Sequence, residues 1–207
     1  ILSGLVGSEM CIRDSVSVLL LLQLNPCHAL TMTAQGNVAL LSGPIIDDDE
    51  IRFKKFITDP DNAQIKIIRL HSGGGRIHAA RLIARMIRDK KLTTFVDAKT
   101  DNCASACTLL FGAGVKRHYI NAQDIEDGLY GLKQTTYGLG FHEGSNQKSS
   151  ELNHQSQRAT ETMMSAYNEF GIPKAKELIL LANPAWLYRL SSRTALKLGI
   201  ATSTNTP

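Results

Sequence analysis

The stretch Asp101-Asn-Cys-Ala-Ser-Ala-Cys-Thr-Leu-Leu-Phe-Gly-Ala-Gly114 begins polar, continues with small residues and ends apolar. This pattern predicts that a loop becomes a helix at Ser105 and that the helix continues to Gly112. A helix N-terminus leaves backbone N–H groups without intrahelical partners, and such groups stabilise a nearby oxyanion. The stretch therefore meets two requirements of a serine nucleophile, a hydroxyl at a turn and oxyanion donors, and the third requirement is a base.

The segments around this stretch alternate between strand and helix patterns. Residues 65–70 and 93–96 carry β-branched side chains that favour strands, and residues 77–91 between them have apolar side chains at helical spacing. The order strand, helix, strand predicts a right-handed parallel unit of an α/β fold. Further strands are predicted at residues 37–41 and 116–120.

The pattern changes after residue 120. Residues 121–140 contain several glycines and predict an irregular excursion. Helices are predicted at residues 149–170, 174–181 and 191–198, with a short one starting at Pro184. The tail, residues 203–207, is predicted to be loose.

Composition narrows the class of protein. The chain has 207 residues, of which 43% are hydrophobic, and a net charge of +4, which is typical of one globular domain. The basic residues at 81–91 follow one face of a predicted helix without interleaved aromatics, so nucleic acid is not an expected partner. No cofactor is predicted, because the glycines at 73–75 belong to neither a Gly-x-Gly-x-x-Gly pattern nor a P-loop. No metal site is predicted either, since the acidic run 47–50 is better explained as a helix start than as a calcium site.

The N-terminal residues predict export. Residues 16–24 form an apolar run of signal-peptide length, and Cys27-His-Ala29 places small residues at the −3 and −1 positions of a cleavage after Ala29. Residues 1–15 resemble translated sequencing adapter and are predicted to be non-native. We therefore expect a leader at 1–15, a signal peptide at 16–29 and a single domain at 30–207, located in the periplasm or secreted and free of the membrane after cleavage.

Cleavage would leave two cysteines, Cys103 and Cys107. An oxidising compartment allows them to form a disulfide, provided that Cys103 lies in the turn before the helix. Two ligands are too few for a metal site. Two buried reduced thiols are the remaining alternative.

Several motifs in fixed order resemble a known family. Ser-Gly-Gly-Gly75, Ala-Ser-Ala106, Gly-Ala-Gly114 and Gly-Phe-His142 follow one another as in the Clp protease proteolytic subunit and the wider crotonase-like superfamily. Cys-Ala-Ser-Ala-Cys-Thr108 is similar to a run in the exported Clp-protease-like proteins of bacteria. The resemblance covers residues 37–201. It implies an α/β fold of repeated ββα units with a mostly parallel sheet flanked by helices.

The resemblance also implies roles for particular residues. Ser105 matches the nucleophile, although serine is also a favoured N-cap residue of helices. His142 matches the general base, and His71 is the reserve candidate because it adjoins the glycine turn. Gly74 and Ala106 match the two backbone N–H donors of the oxyanion hole, and glycine lets the backbone approach a substrate carbonyl closely.

The third member of the family's triad has no match. In the family an Asp lies shortly before the last helix, near Leu187 of this chain, and no Asp or Glu follows Glu177. Four explanations fit: a Ser–His dyad, a polar substitute at Asn183 or Tyr188, an acid from elsewhere such as Glu143, or loss of catalysis.

These expectations combine into one functional hypothesis. The chain is predicted to be an exported, ATP-independent serine hydrolase that cleaves peptide or ester bonds in peptides or unfolded proteins. The relatives form rings or trimers, so a homo-oligomer is implied. The alternative is an inactive peptide-binding or scaffold protein. An acyl-CoA-handling crotonase relative is a third reading, which the export signal disfavours.

Overall fold

The computed structural model describes residues 29–131, 137–146 and 154–207. A short 3₁₀ helix spans Pro60–Asn62. The helices are α1 (Asp49–Thr58), α2 (Ile77–Asp89), α3 (Cys107–Ala113), α4 (Gln157–Glu169), α5 (Ala175–Ile179) and α6 (Ser192–Lys197). The strands are β1 (Thr31–Gln35), β2 (Val38–Ser42), β3 (Ile67–His71), β4 (Thr93–Asp97), β5 (Asn102–Ala104), β6 (Arg117–Ile120), β7 (Gly128–Gly131), β8 (Gly138–Phe141), β9 (Ser145–Asn146), β10 (His154–Gln155) and β11 (Trp186–Arg189).

The first sheet has the strand order β1-β2-β3-β4-β6. Strands β2, β3, β4 and β6 run parallel, and β1 pairs antiparallel with β2 at the edge. Helix α2 joins β3 to β4 and buries Ala80, Ile83, Ala84 and Ile87, which are the apolar positions of its sequence pattern. The predicted parallel unit and the mixed α/β class are thereby confirmed.

The second sheet has the strand order β5-β8-β11-β7. Its strands β7 and β8 lie in the segment predicted to be irregular, and β11 occupies the place of the short helix predicted from Pro184. The prediction of an irregular segment is wrong because β7 and β8 contain glycines where strands usually carry β-branched side chains. The prediction of a helix from Pro184 is wrong because this segment pairs with β7 and β8 instead. A Cβ at Gly140 would lie 3.0 Å from Arg189 Nη1 and 3.3 Å from Ala104 Cβ. Close packing inside the sheet therefore favours glycine here.

The two sheets share one buried cluster. Ile68 and Val96 of the first sheet, Leu139 and Phe141 of the second, and Phe111 of α3 all have almost no solvent exposure and belong to it. Helix α3 thus lies where the two sheets meet, directly after β5.

Two further predictions need correction at the C-terminal side. Helix α4 begins at Gln157, capped by Ser156 Oγ, and His154–Gln155, which were predicted to be helical, form β10; the predicted start at residues 149–153 lies outside the described part. The tail is not loose at Ser203, whose carbonyl accepts a 3.0 Å hydrogen bond from the N–H of Tyr119.

The acidic run at residues 47–50 begins α1, as predicted. The carboxylate of Asp49 is fully buried, accepts the N–H groups of Ile46 at 2.8 Å and Leu30 at 3.3 Å, and pairs with Arg52. This carboxylate anchors the chain before β1 to the start of α1. Within residues 29–131, 137–146 and 154–207, no group of His, Cys, Asp and Glu could hold a metal ion. The described helices are all too short or too polar to cross a bilayer.

Candidate active site

Pairing of β5 with β8 brings Ser105 and His142 to the same edge of the second sheet. The two strands are parallel, with Ala104 opposite Gly140, so the residues that follow them leave the sheet side by side. The N–H of Ser105 donates to the carbonyl of Gly140 at 2.9 Å. Residues that are distant in sequence thereby line one cleft.

Ser105 has an unusual backbone conformation. Its φ is 54°, in the left-handed region that non-glycine residues rarely adopt. Its carbonyl accepts from both the N–H and the hydroxyl of Thr108, at 2.9 and 2.6 Å. Strained residues of this kind concentrate at functional turns.

Ser105 is not a helix cap. Helix α3 begins at Cys107, two residues later than predicted, its cap position is Ala106, and no side chain caps it. The Oγ of Ser105 has no hydrogen bond to any residue that the structure describes. The hydroxyl is therefore available to a ligand in the cleft.

The disulfide Cys103–Cys107 encloses this turn. Cys103 is the middle residue of β5 and Cys107 begins α3, with Cα atoms 5.2 Å apart and both side chains fully buried. The predicted pairing is confirmed, and the reduced-thiol and metal alternatives are wrong. The bond ties the strand before Ser105 to the helix after it.

Gly74 does not present its N–H to the cleft in the predicted way. That N–H donates to Ser72 Oγ at 3.1 Å. The next residue, Gly75, lines the cleft, and its N–H has no hydrogen bond within the described ranges. The same holds for the N–H of Ala106. Gly75 and Ala106 therefore have N–H groups that remain unbonded within the described ranges, whereas the N–H of Gly74, which the resemblance implies as a donor, is bonded to Ser72 Oγ.

Gly74 is required for a different reason. Its φ is +99°, and a Cβ there would lie 2.7 Å from Ser105 Cβ and 2.9 Å from the N of Ala106. Gly75 has φ +140° and lies against the backbone of Ile45. The absence of a side chain lets Gly74 pack directly on the serine turn and lets Gly75 pack on the backbone of Ile45.

His142 follows β8 and is 8% exposed. Its Nδ1 lies 2.6 Å from the carbonyl oxygen of Glu143. A carbonyl can only accept, so Nδ1 carries the proton and Nε2 of the neutral ring is free to accept one. Burial lowers the pKa of His142, and the hydrogen bond to Glu143 opposes this in part. The side chain is thus neutral near pH 7, as a base must be.

The orienting group of His142 is a backbone carbonyl. Glu143 bonds to His142 through its backbone carbonyl and not through its carboxylate. The N–H of Glu143 donates to the carbonyl of Ala182 at 2.9 Å. Asn183 accepts from the N–H of Ala185. Tyr188 pairs with Phe141 in the sheet, and continuing this register places Leu187 opposite His142. Among the described residues neither Asn183 nor Tyr188 bonds to His142.

Ser105 and His142 do not form a hydrogen bond with each other in the part of the chain that the structure describes. Unliganded sites often have longer catalytic contacts that tighten on substrate binding. The reserve candidate, His71, lies elsewhere: its Nδ1 accepts from the N–H of Asn102 at 3.4 Å and it does not line the cleft.

The cleft has a volume of about 640 Å³. The glycine loop, the first turns of α2 and α4, and the segment before β11 form its walls. Its lining includes Gly73, Gly75, Arg76, His78, Arg81, Ser105, His142, Ser145, Arg158, Thr162 and Pro184. A space of this size accommodates several residues of an extended peptide.

The structure has a mixed α/β fold with sheets flanked by helices, and this fold is similar to that of solved ClpP-like proteases. A membrane-bound stomatin-specific protease, 1510-N, superposes with a TM-score of 0.51 at 17% identity over 81% of this chain and 78% of that one. ClpP1 from Listeria monocytogenes gives 0.50 at 17% identity over 83% and 92% of the two chains. The ClpP catalytic domain from Plasmodium falciparum gives 0.50 at 13% over 83% and 86%. No protein-family model and no curated protein matches the chain.

Proposed function

We propose that this protein is a serine peptidase in which Ser105 is the nucleophile and His142 the general base. The observation that carries the proposal is the β5–β8 pairing, which places a strained serine with an unbonded hydroxyl and a neutral, buried histidine in one cleft. The free N–H groups of Gly75 and Ala106 complete the set of groups that acyl transfer requires.

The chemistry follows from these groups. The Oγ of Ser105 attacks the substrate carbonyl as Nε2 of His142 takes its proton, and Gly75 and Ala106 donate to the oxyanion. Nε2 then gives the proton to the leaving amine, and an acyl-enzyme remains. A water, activated by the same histidine, hydrolyses the ester and restores Ser105.

The carbonyl of Glu143 takes over one of the two tasks of a triad acid. It fixes the tautomer and orientation of the His142 ring. It carries no full negative charge, so it stabilises the transient imidazolium less than a carboxylate would. Removing the triad acid can lower turnover by about 10⁴, and we expect this dyad to be slower than a full triad.

Substrate and location are part of the proposal. One solved structure of the stomatin-specific protease contains a substrate peptide, and the cleft here has space for one, so we propose peptides or unfolded segments as substrates. The signal-like residues 16–29 support action outside the cytoplasm, without an ATP-driven partner. Homo-oligomerisation is proposed from the resemblance to Clp-type subunits.

The test is labelling with a fluorophosphonate probe, which forms a covalent bond to an activated serine oxygen. We expect labelling of the wild type, none of Ser105→Ala, and strong reduction in His142→Ala. Ser203→Ala, whose hydroxyl does not line the cleft, is the matched control and keeps full labelling. Absence of labelling in the wild type would reject the hydrolase and leave the peptide-binding alternative.

A further inference from the structure

The charged side chains that line the cleft all have the same sign. Arg76, Arg81 and Arg158 contribute to its walls, and no Asp or Glu of the described residues does so. The arginines come from both sides, Arg76 and Arg81 from the start of α2 and Arg158 from the first turn of α4. When the charges that line a cleft all have the same sign, their electrostatic field is concentrated in the space between its walls.

Carboxylates outside the cleft neutralise only part of this charge. Arg76 pairs with Asp47 at 3.1 Å. Arg81 shares the single carboxylate of Glu169 with Arg85, at 2.7 and 2.6 Å. Two guanidinium groups thus face one carboxylate, and an excess positive charge remains beside Arg81.

Arg158 has no carboxylate partner within the ranges that the structure describes. It lies four residues before Thr162 on α4, and both side chains line the cleft, so this face of the helix points at the substrate space. Its guanidinium is exposed and presents a planar fork of donors that matches a carboxylate in bidentate fashion.

We propose that this cleft selects substrates that carry a carboxylate beside the scissile bond, with Arg158 as the specificity-determining residue and Arg81 in support. The carboxylate belongs either to an Asp or Glu side chain or to the free C-terminus of a peptide, which have the same chemistry. The inference rests on the proposed peptidase function for its site, yet it concerns binding and can be tested without turnover.

The experiment uses the full mature chain with Ser105→Ala, so that peptides bind without cleavage. Three fluorescent peptides of one sequence are compared: an amidated one with a central Glu, its amidated Gln isostere, and the Gln peptide with a free C-terminus. Binding is followed by fluorescence anisotropy at low and high salt. We expect the Glu peptide or the free carboxyl peptide to bind about fivefold to tenfold more tightly than the amidated Gln peptide.

Substitutions of single arginines identify the residue that causes the preference for carboxylate peptides. In the Ser105→Ala protein, adding Arg158→Gln should reduce the preference for carboxylate peptides to less than about twofold. Arg193 is an exposed arginine of α6 outside the cleft, so Arg193→Gln should leave this preference unchanged. Raising the salt concentration should weaken the preference in the parent and not in the Arg158→Gln protein. Which carboxylate peptide binds more tightly identifies its source as a side chain or a terminus.

Two results overturn the proposal: equal binding of all three peptides, or an undiminished preference in Arg158→Gln. Either result leaves the hydrolase intact if the wild type is labelled by the fluorophosphonate. Conversely, a wild type that resists labelling but binds carboxylate peptides through Arg158 retains this specificity and loses the hydrolase.

Discussion

At the scale of single residues, the backbone decides more of this site than the side chains do. Ser105 is presented by a left-handed turn, and the ring of His142 is held by the carbonyl of its own neighbour. Gly74 and Gly75 lack Cβ atoms and can therefore approach neighbouring backbone closely. The N–H of Gly74 donates to Ser72 Oγ. These contacts put a neutral imidazole and an unbonded hydroxyl in one cleft.

The pH dependence of activity should follow the protonation of the His142 imidazole. Its imidazole must be neutral to accept the Ser105 proton, and burial lowers its pKa. The acid limb of kcat/KM should therefore have its midpoint below the ordinary histidine value of about 6.5, with activity present above it and lost as pH falls through it. Because the folded pKa is depressed, the stability linked to this histidine is likewise lost on acidification. A midpoint at or above about 6.5 would contradict the assigned base.

Substitution of Gly74 should separate packing from backbone strain. Gly74→Ala places a Cβ against Ser105 and Ala106, so we expect at least about a 100-fold lower labelling rate through the displaced turn. Gly36→Ala is the matched control, since Gly36 also has positive φ, at +57°, but open space around it. It should lose about 1 kcal/mol of stability and keep its labelling rate. Equal labelling of the two variants would show that the contact with Ser105 is unimportant.

At the scale of elements, the site is built at the junction of β5 and α3. Cys103 lies in the strand, Cys107 begins the helix, and the disulfide closes the turn between them. The turn would otherwise have to hold a left-handed serine through hydrogen bonds alone. The proposed export to an oxidising compartment would therefore favour the presentation of Ser105, because such a compartment preserves this bond.

Removal of the disulfide should affect activity as well as stability. We expect the double variant Cys103→Ala, Cys107→Ala to lose about 2 kcal/mol of unfolding free energy, as predicted for a short closed loop. Labelling of Ser105 should slow at temperatures where the protein is still folded, because the turn is no longer clamped. Urea unfolding and probe labelling measure the two effects. Mass spectrometry of the unreduced protein provides the check, since two free thiols would contradict the clamp.

At the scale of the whole molecule, the second sheet assembles the site from distant parts of the chain. Arg189 of β11 lies fully inside it and donates to the carbonyl of Gly138 in β8 at 2.7 Å and to Asn102 of β5 at 2.9 Å. Burial lowers the pKa of Arg189 to about 10. This one side chain connects three strands, two of which lead directly to Ser105 and His142.

Arg189→Leu should therefore damage stability and site together. It leaves buried acceptors on β5 and β8 without their donor, which we expect to cost about 3 kcal/mol. Arg193→Leu, at an exposed position of α6, serves as control and should change stability by less than about 0.5 kcal/mol. Urea denaturation and labelling measure both consequences. A variant as stable as the wild type would contradict the role of Arg189 as a connection between strands.

Local patterns along the chain were enough to predict part of this fold. The parallel unit of β3, α2 and β4 follows from hydrophobic periodicity, whereas the spacing of Cys103 and Cys107 allows their pairing without requiring it. Only the tertiary structure decided the rest. The glycine-rich strands β7 and β8, the free N–H of Gly75 and the carbonyl that orients His142 depend on register and on hydrogen bonds between distant segments. Hydrophobic periodicity predicts which face of one segment packs on the core. It does not predict which distant backbone group becomes a hydrogen-bond partner, because that depends on how the sheets assemble.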